Sequence, residues 1–354
     1  MPNLPFITIV MPVRNEARFI GDTLGQLLAQ EYPENRYEII VADGMSDDGT
    51  REIVSALAQH HPQIRLLDNP KRFSSAGRNM GFMSGSGDYF LVVDGHCHIP
   101  DNQHFNYVVD CFARSGADCL GRPQPLDPPG LTNFQKSVAL ARSSRLGHGG
   151  NSLIYGEYEG FASPVSNGAA YSRNVLEKVG YVDENFDAAE DVEYNYRVEQ
   201  AGFACYTSPI LMVKYYPRES LTALFRQMVR YGKGRFMLIR KHPDTLTFNQ
   251  IIPVLFIAGA FLAVGCLPFA FGHGLISLLC KTMIAIYALY FTIVGVESAR
   301  ICLKKGLRHI GYLPTIFPTV HAGLGWGVLK EAIREVFGHH IPSELLDTRC
   351  QIKK

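Results

Sequence analysis

Acidic side chains cluster at one point of the sequence, where a loop leads into an amphipathic helix. The stretch 186–197 reads FDAAEDVEYNYR and carries Glu190, Asp191 and Glu193. A carboxylate held there could act as a general base and take a proton from an incoming hydroxyl group. Acidic residues are also common in the first turn of a helix, because they favour the positive end of the helix dipole. From these residues alone, a catalytic base and a simple helix cap both remain open.

Four further motifs lie upstream of this acidic cluster, and the elements that carry them can be read from apolar periodicity. The motifs are VMPVRNE at 10–16, VADGMSDDGT at 41–50, AGRNMG at 76–81 and VDGH at 93–96. Strands are predicted at 7–10, 38–41, 64–67 and 89–93, and helices at 16–30, 49–60 and 74–83. Strictly alternating strands and helices predict an α/β fold with a mostly parallel sheet, whose ligands bind beyond the carboxyl ends of the strands.

Two common nucleotide-binding folds do not match this pattern. No G-x-G-x-x-G follows the first predicted strand, and the stretch GMSDDGTR at 44–51 lacks the lysine of a phosphate-binding P-loop. Asp43 and Asp48 would repel a phosphate bound directly against them, so they suit a base and a ribose better.

The order and spacing of these motifs resemble the GT-A domain of family-2 inverting glycosyltransferases. GAAYSR at 168–173, followed by the acidic pair at 190–191, fits the same family, and the resemblance extends from about residue 6 to about residue 240. It implies a nucleoside-diphosphate-sugar donor and a single in-line displacement that inverts the anomeric carbon. Asp191 would be the general base, and Gly168 and Glu190 would border the acceptor.

The resemblance also implies which residues contact the donor. Asp43 would accept a hydrogen bond from the ring nitrogen of uracil or guanine, and Arg78 would reach the diphosphate with a permanently charged guanidinium. The residues leaving the first strand would converge on the same base: Pro12, Arg14 and Glu16. Gly44 stands where the family frequently has a second aspartate. Asp-Gly is also an ordinary turn sequence, and Arg78 could equally be a surface cation.

Asp94, Gly95 and His96 occupy the place of the family's Asp-x-Asp, which holds a divalent metal between protein and diphosphate. Asp94 offers a hard oxygen ligand. His96 replaces a carboxylate, and imidazole suits manganese or another transition ion better than magnesium. The expected cofactor is therefore Mn²⁺ or Mg²⁺, with Asp94 as a contact of both metal and donor.

The C-terminal third of the chain has a different composition. Charged residues make up 19% of the sequence, below the roughly 25% usual for soluble proteins, and 245–280 contains no Asp, Glu, Lys or Arg. Two apolar runs, at 251–271 and 275–296, are long enough to cross a hydrocarbon core of about 30 Å. Membrane spans are favoured over a pair of buried core helices. A third apolar segment, 310–329, could span, re-enter or lie at the interface.

Basic residues flank the outer ends of the two apolar runs, and the short turn between the runs contains no Lys or Arg. They are Arg235, Arg240 and Lys241 before the first run and Arg300, Lys304, Lys305 and Arg308 after the second. The positive-inside rule then places residues 1–245 and the loop at 300–309 in the cytoplasm. We expect a multi-pass protein of the cytoplasmic membrane.

The segment before the first apolar run carries a further motif. Gln227, Arg230 and Tyr231 resemble the Q-x-x-R-W of polysaccharide-forming family members, with Tyr in place of Trp, which implies contact with the acceptor. The same segment is basic and amphipathic, so an interfacial helix on anionic lipid is also predicted, and both can hold. The predicted division is a GT-A catalytic domain at 1–215, an interfacial helix and linker at 216–247, a membrane region of two or three helices at 248–330, and a tail at 331–354.

The resemblance is strongest to the succinoglycan-biosynthesis branch of exopolysaccharide glycosyltransferases. We therefore expect transfer of a sugar, from a donor such as UDP-hexose, to a lipid-linked saccharide in exopolysaccharide or surface-glycan biosynthesis. Two alternatives stay open: a polyprenyl-phosphate sugar transferase and a non-catalytic nucleotide-sensing membrane scaffold. The eight cysteines form no C-x-x-C pair, which indicates reduced thiols. A net charge of +1 gives no reason to expect nucleic acid as a partner.

Overall fold

The computed structural model of the chain describes residues 4–148, 153–270 and 272–338. The strands are β1 Ile7–Val13, β2 Tyr37–Asp43, β3 Ile64–Asp68, β4 Tyr89–Val92, β5 Cys97–His98, β6 Cys119–Gly121, β7 Gly160–Ala162, β8 Gly168–Ser172, β9 Cys205–Thr207 and β10 Lys214–Tyr215. The α-helices are α1 Ile20–Leu28, α2 Thr50–His60, α3 Ser74–Ser84, α4 His104–Ser115, α5 Asn133–Arg142, α6 Arg145–His148, α7 Pro164–Asn167, α8 Arg173–Val179, α9 Glu190–Gln200, α10 Leu221–Lys241, α11 Phe248–Cys266, α12 Leu275–Lys305 and α13 Leu313–Gly338.

The main sheet has the strand order β3-β2-β1-β4-β8-β6-β9-β7. Its first four strands are mutually parallel, and β8 is antiparallel to both β4 and β6. The carboxyl ends of β1, β2 and β4 therefore meet at one edge, as the alternating pattern predicted. The predicted GT-A-like α/β fold with a mostly parallel sheet is confirmed. A second small sheet pairs β10 with β5 beyond the end of β4.

The sheet is covered on both faces, which is why β1 and β2 are buried almost throughout. Alternate residues of a strand point to opposite faces. Ile9 belongs to the apolar cluster shared with helices α1 and α4, whereas Val10 belongs to the cluster formed with α3 and α9. Helix α3 approaches β1 closely at Gly81, where an added Cβ would lie 2.3 Å from Val10 Cγ1. Nearer the carboxyl end of β1, a Cβ added to Gly77 would lie 2.9 Å from Pro12 Cβ, so the first half of α3 packs at that edge of the sheet.

The helix predicted to begin at Glu16 begins instead at Ile20. The intervening residues form a loop in which Asn15 has a left-handed φ of 57°. The backbone N–H of Asn15 donates to Ser46 Oγ at 2.9 Å, and its side chain donates to Asp47 at 2.9 Å. These hydrogen bonds form where the first helical turn was predicted. They join the loop that follows β1 to the loop that follows β2.

Helices α11 and α12 are long and apolar enough to cross a membrane, and their apolar surfaces are largely exposed within the chain. The two predicted membrane-span candidates thus correspond to α11 and α12. If α11 and α12 were core helices of a soluble domain, their apolar side chains would be buried.

The third apolar segment, predicted at 310–329, lies in helix α13 from Leu313 onward, and the helix continues without a break through Pro318 to Gly338. Helix α13 packs along α10 at glycines: a Cβ added to Gly232 would lie 2.2 Å from the Leu324 carbonyl oxygen. Ile316 and Phe317 of α13 are fully buried in a cluster with α5 and α10. Helix α13 therefore packs against helices on both sides, with α5 and α10 on one side and the apolar helices α11 and α12 on the other. The predicted domain division stays a prediction, and its tail at 331–354 lies outside the described residues from 339 onward.

Candidate active site

Asp43 ends β2 and has no exposed surface. Its carboxylate accepts hydrogen bonds from the backbone N–H and the hydroxyl of Ser46, and it pairs with Arg51 Nη1 at 2.9 Å. Arg51 also pairs with Asp68 at the end of β3, at 2.7 Å. Asp43 thus organises the loop after β2, and its predicted contact with the ring nitrogen of a base stays a prediction.

The residues that leave β1 divide into packing and exposed positions. Pro12 packs on helix α3, because a Cβ added to Gly77 would lie 2.9 Å from Pro12 Cβ. Arg14 is exposed, and its stem lies over Gly44, where an added Cβ would be 3.2 Å from Arg14 Cβ. A side chain at position 44 would crowd the stem of Arg14, which would have to give by a few tenths of an ångström.

Glu16 and His96 come together, although they lie 80 residues apart in the sequence. His96 Nδ1 is 2.9 Å from Glu16 Oε1, and both side chains are largely buried. Burial alone would lower the pKa of His96, but the bond to Glu16 and the charge of Asp94 raise it above its ordinary value. The contact leaves Nε2 as the ring nitrogen that can face a ligand. Metal-binding histidines are commonly oriented by such a carboxylate at their other ring nitrogen.

The residues at the end of β4 fit a divalent cation that is shared with a diphosphate. The Asp94 carboxylate makes no hydrogen bond or ion pair with any residue that the structure describes, so its oxygens are available. Across the described ranges, no group of three His, Cys, Asp or Glu side chains is arranged to hold a metal. Asp94 and His96 Nε2 would supply two ligands, and oxygens of the donor diphosphate would have to complete the shell.

Arg78 lies among three carboxylates at this edge of the sheet. Its side chain is 12% exposed, and Nη2 is 3.4 Å from Glu190 Oε1. Burial would lower the pKa of Arg78, but Glu190, Asp191 and Asp94 together raise it. The buried Arg78 Nε has no hydrogen-bond partner in the described part of the chain. Arg78 is therefore paired with the start of α9, and its Nε–H is left without an acceptor among the described residues.

Asp191 lies in the first turn of α9 and is half-buried. The cap position belongs to Ala189, whose φ of 60° is left-handed and whose side chain cannot accept a hydrogen bond. Asp191 Oδ1 accepts from the Val192 backbone N–H at 2.9 Å, and Oδ2 makes no hydrogen bond within the described residues. One oxygen of Asp191 thus satisfies the helix terminus, and the other can receive a proton.

The two acidic neighbours of Asp191 have different environments. Glu190 is buried beside Asp191, and its pKa is raised by burial and by that second carboxylate, against the opposing charge of Arg78. Glu193 faces away from the site and lies within hydrogen-bond distance of three basic side chains: Arg197 (2.9 Å), Lys241 (2.8 Å) and His242 (3.3 Å). Glu193 therefore holds the end of α10 against α9. The pKa of Glu190, in contrast, is raised by the neighbouring charge of Asp191.

Gly168, which was predicted to border the acceptor, is buried behind α9. Its carbonyl oxygen accepts from Asn195 Nδ2 at 2.9 Å, and an added Cβ would lie 2.7 Å from Asn195 Oδ1. Gly168 is thus a packing position that lets β8 approach α9, the helix that carries Asp191.

The predicted acceptor residues on α10 lie beside the loop that leads into α9. Arg230 Nη2 donates to the Asp187 carbonyl at 2.8 Å and lies 3.6 Å from the Asp187 carboxylate. Tyr231 is 38% exposed, and its hydroxyl accepts from Gln227 at 3.3 Å. Arg230 therefore positions the loop, whereas Tyr231 presents its ring at the surface.

Two cations that the motifs do not include, Arg142 and Arg235, border the same place. The Arg142 guanidinium carbon lies 5.8 Å from the centre of the Tyr231 ring. Arg235 is half-buried, and its partial removal from solvent lowers its pKa, a shift that Asp191 and Tyr231 oppose. Arg235 follows Tyr231 by four residues on one helix, a spacing that could have revealed it. Arg142 lies on the separate helix α5, and no local pattern marks it.

Comparison with known proteins supports the resemblance. The glycosyl transferase family 2 model matches residues 8–180. The succinoglycan biosynthesis protein ExoA of Rhizobium meliloti is 35% identical over 266 residues, which cover 75% of this chain and 76% of the relative. The dolichyl N-acetyl-alpha-D-glucosaminyl phosphate 3-beta-D-2,3-diacetamido-2,3-dideoxy-beta-D-glucuronosyltransferase of Methanococcus voltae is 24% identical over 93% of this chain and 98% of its own length.

Among solved structures, the mannosyltransferase PcManGT from Pyrobaculum calidifontis, in complex with GDP-Man and Mn²⁺, aligns with a TM-score of 0.58. The alignment covers 95% of this chain and 88% of that protein, at 19% identity. This likeness concerns the fold alone.

Proposed function

The chain belongs to glycosyltransferase family 2 and is a glycosyltransferase, and from this premise we propose that it transfers a hexose from a nucleoside-diphosphate donor, such as UDP-hexose, to a lipid-linked saccharide. The observation that carries the proposal is the 3.4 Å contact of Arg78 with Glu190, which places the guanidinium at the first turn of α9, the turn that also carries Asp191. It brings a carboxylate with an available oxygen close to the place where a donor diphosphate would lie.

The chemistry that this arrangement supports is a single displacement. Asp191 Oδ2 takes the proton of the acceptor hydroxyl as its oxygen bonds to the anomeric carbon and the bond to the diphosphate breaks. Arg78 offsets the negative charge that develops on the departing nucleoside diphosphate. Asp94 and His96 are the residues that would hold a divalent cation, which supplies further positive charge to the leaving group when it is bound.

The acceptor class is supported by the relatives' names. The Methanococcus voltae relative matches nearly the whole chain, and its name specifies a dolichyl phosphate that already carries a sugar. The Rhizobium relative belongs to succinoglycan biosynthesis. The first name favours a saccharide-bearing lipid over a bare polyprenyl phosphate, and the second favours polysaccharide biosynthesis. Family membership decides against the non-catalytic scaffold.

The function is tested by incubating membranes that contain the full chain with labelled UDP- and GDP-hexoses and a lipid extract. We expect one donor to label the lipid fraction, and mild acid to release a saccharide longer than one sugar. The matched control is the same membrane with Asp191→Asn. If no donor labels lipid above that control, the proposal fails, and release of a single sugar would favour the polyprenyl-phosphate alternative.

We further propose that α11 and α12 span the cytoplasmic membrane, with the catalytic domain and the loop at 300–309 in the cytoplasm. In a variant without native cysteines, a cysteine replacing His273 should react with an impermeant thiol reagent added to intact cells, and one replacing Lys305 should not. The reverse labelling pattern would contradict this orientation.

A further inference from the structure

Thr23 places a hydroxyl group on the otherwise apolar inner face of helix α1. The residues of this face have no exposed surface, and they are Ile20, Thr23, Leu24 and Leu27. A buried hydroxyl destabilises a fold unless it is hydrogen-bonded. Threonine in a helix commonly bonds its hydroxyl to a carbonyl three or four residues earlier. The hydroxyl of Thr23 instead bonds to groups outside its own helix.

The partners of the Thr23 hydroxyl lie in the turn that carries the proposed metal contacts. Thr23 Oγ1 is 2.9 Å from the Gly95 carbonyl oxygen and 3.1 Å from the Cys97 carbonyl oxygen. It also accepts a longer bond, of 3.4 Å, from the Cys97 backbone N–H. The Gly95 carbonyl and the Cys97 N–H belong to the two peptide groups on either side of the His96 Cα. Thr23 therefore holds the backbone on both sides of His96.

The imidazole ring of His96 is held by other elements. Its Nδ1 is 2.9 Å from Glu16 Oε1, and the Tyr215 ring meets it edge to face with ring centres 6.0 Å apart. Tyr215 also pairs with Cys97 across the small sheet of β5 and β10. The backbone and the ring of His96 are thus restrained independently, and Thr23 supplies the restraint on the backbone.

The position of Asp94 depends on the same turn. Among the residues that the structure describes, none forms a hydrogen bond or ion pair with the Asp94 carboxylate, so the backbone that carries it sets its position. Arg122 Nη2 donates to the Val92 carbonyl oxygen at 2.6 Å and fixes the strand that leads into the turn. The bond from Thr23 to the Gly95 carbonyl fixes the turn directly after Asp94.

We propose that Thr23 is a positioning residue of the divalent-cation site, because its hydroxyl fixes the turn in which the Asp94 carboxylate and His96 Nε2 meet one cation. This inference rests on the proposed function, in which Asp94 and His96 hold that cation. Thr23 is fully buried and its hydroxyl is engaged by the backbone, so it acts on the cation only through these two residues.

The test uses the purified full chain in detergent, with Mn²⁺ as the probe in the presence of UDP and GDP. Thr23→Val keeps the size and shape of the side chain but removes the hydroxyl. We expect the dissociation constant of Mn²⁺ to rise about 10–100-fold, the usual effect of removing a group that orients a metal ligand. Thr23→Ser keeps a hydroxyl and should retain most of the affinity.

Thr8 offers a matched control away from the turn. It is also fully buried, and its hydroxyl donates to Glu38 Oε1 at 2.9 Å and accepts from the Gly87 N–H at 2.9 Å. It lies near the start of β1, whereas the turn follows the end of the parallel strand β4. Thr8→Val should lower the melting temperature as Thr23→Val does, because both leave buried groups without a partner. It should not change Mn²⁺ affinity.

Electron spin-echo spectroscopy of bound Mn²⁺ gives a readout that does not depend on turnover. A histidine nitrogen bonded to Mn²⁺ modulates the echo decay. We expect this nitrogen modulation in the unmodified chain and in Thr8→Val. It should be absent in His96→Asp and weakened in Thr23→Val at a Mn²⁺ concentration that fills the site. A loss of stability alone would not change the modulation.

Three outcomes would overturn the proposal. One is Mn²⁺ affinity and nitrogen modulation in Thr23→Val that equal those of the unmodified chain. Another is an equal loss of affinity in Thr8→Val and Thr23→Val, which would assign the effect to stability. The third is a loss in Thr23→Val that Thr23→Ser shares in full, because the hydroxyl would then have no part in it.

Failure of this inference and failure of the proposed function can be told apart by assaying sugar transfer on the same preparations. Transfer to lipid with Mn²⁺ affinity that is insensitive to Thr23→Val would retain the function and reject the positioning role. Mn²⁺ binding that depends on Thr23, without transfer to any lipid, would retain the positioning role and reject the function. If the unmodified chain binds no Mn²⁺, the inference fails, and transfer in chelator decides whether the function stands.

Discussion

Asp191→Asn is expected to lower the rate of sugar transfer by about 10²–10⁴-fold, the usual contribution of a general base. Asparagine keeps the shape of the side chain, and its carbonyl oxygen can still accept from the Val192 N–H. It cannot take a proton from an acceptor hydroxyl. Donor binding and the melting temperature should therefore stay close to those of the unmodified chain.

Turnover with a saturating donor and donor affinity by calorimetry would be measured on the same preparation. Glu199→Gln is the matched control, because Glu199 is an exposed carboxylate on the same helix α9. It should leave both quantities unchanged. Near-normal turnover in Asp191→Asn, or an equal loss in Glu199→Gln, would remove Asp191 from the role of base.

Removal of divalent cations is expected to abolish transfer, and added Mn²⁺ is expected to restore it. The structural reason is that Asp94 has unengaged oxygens and His96 is oriented by Glu16, so the site fits a cation that the diphosphate helps to bind. Imidazole favours transition ions, and His96→Asp should shift the preference towards Mg²⁺. That variant also faces Glu16 with a second carboxylate, which a hard cation would relieve.

Activity in chelator titrated back with each metal would be compared between the unmodified chain and His96→Asp. Mn²⁺ binding in the presence of the nucleoside diphosphate, followed by electron paramagnetic resonance, gives a readout that does not depend on turnover. Asp94→Asn should lose the bound Mn²⁺ signal. Full transfer in chelator, or an unchanged Mn²⁺ signal in Asp94→Asn, would contradict metal binding at this place.

The part of the fold that local patterns encode was predictable. Strands β1 to β4 are short apolar runs separated by helices of ordinary length, and such alternation constrains the sheet to be parallel. The same reasoning places Asp94 and the loop that begins after Asp43 at one edge of the sheet. The antiparallel strand β8 was not foreseeable in this way, because its partners β4 and β6 depend on long-range pairing.

Other features depend on tertiary contacts that no local pattern carries. Pro318 predicts a helix break, yet α13 continues through it because packing on α10 and α5 stabilises the helix. Gly168 looks like a ligand-facing glycine in the sequence, but it contacts Asn195 in the core. Arg142 and Tyr231 are brought together by the packing of α5 beside α10, across almost ninety residues of sequence.

The stereochemistry of the product tests the central claim most directly, namely that Asp191 assists a single displacement. An α-linked nucleotide-sugar donor should yield a β-linked sugar on the lipid acceptor, since one attack from the opposite face inverts the anomeric carbon. The product released from the lipid would be analysed by proton NMR of the new anomeric position. A β-linkage that forms only when Asp191 is present is the predicted result, and an α-linkage from the same donor would contradict the proposed mechanism.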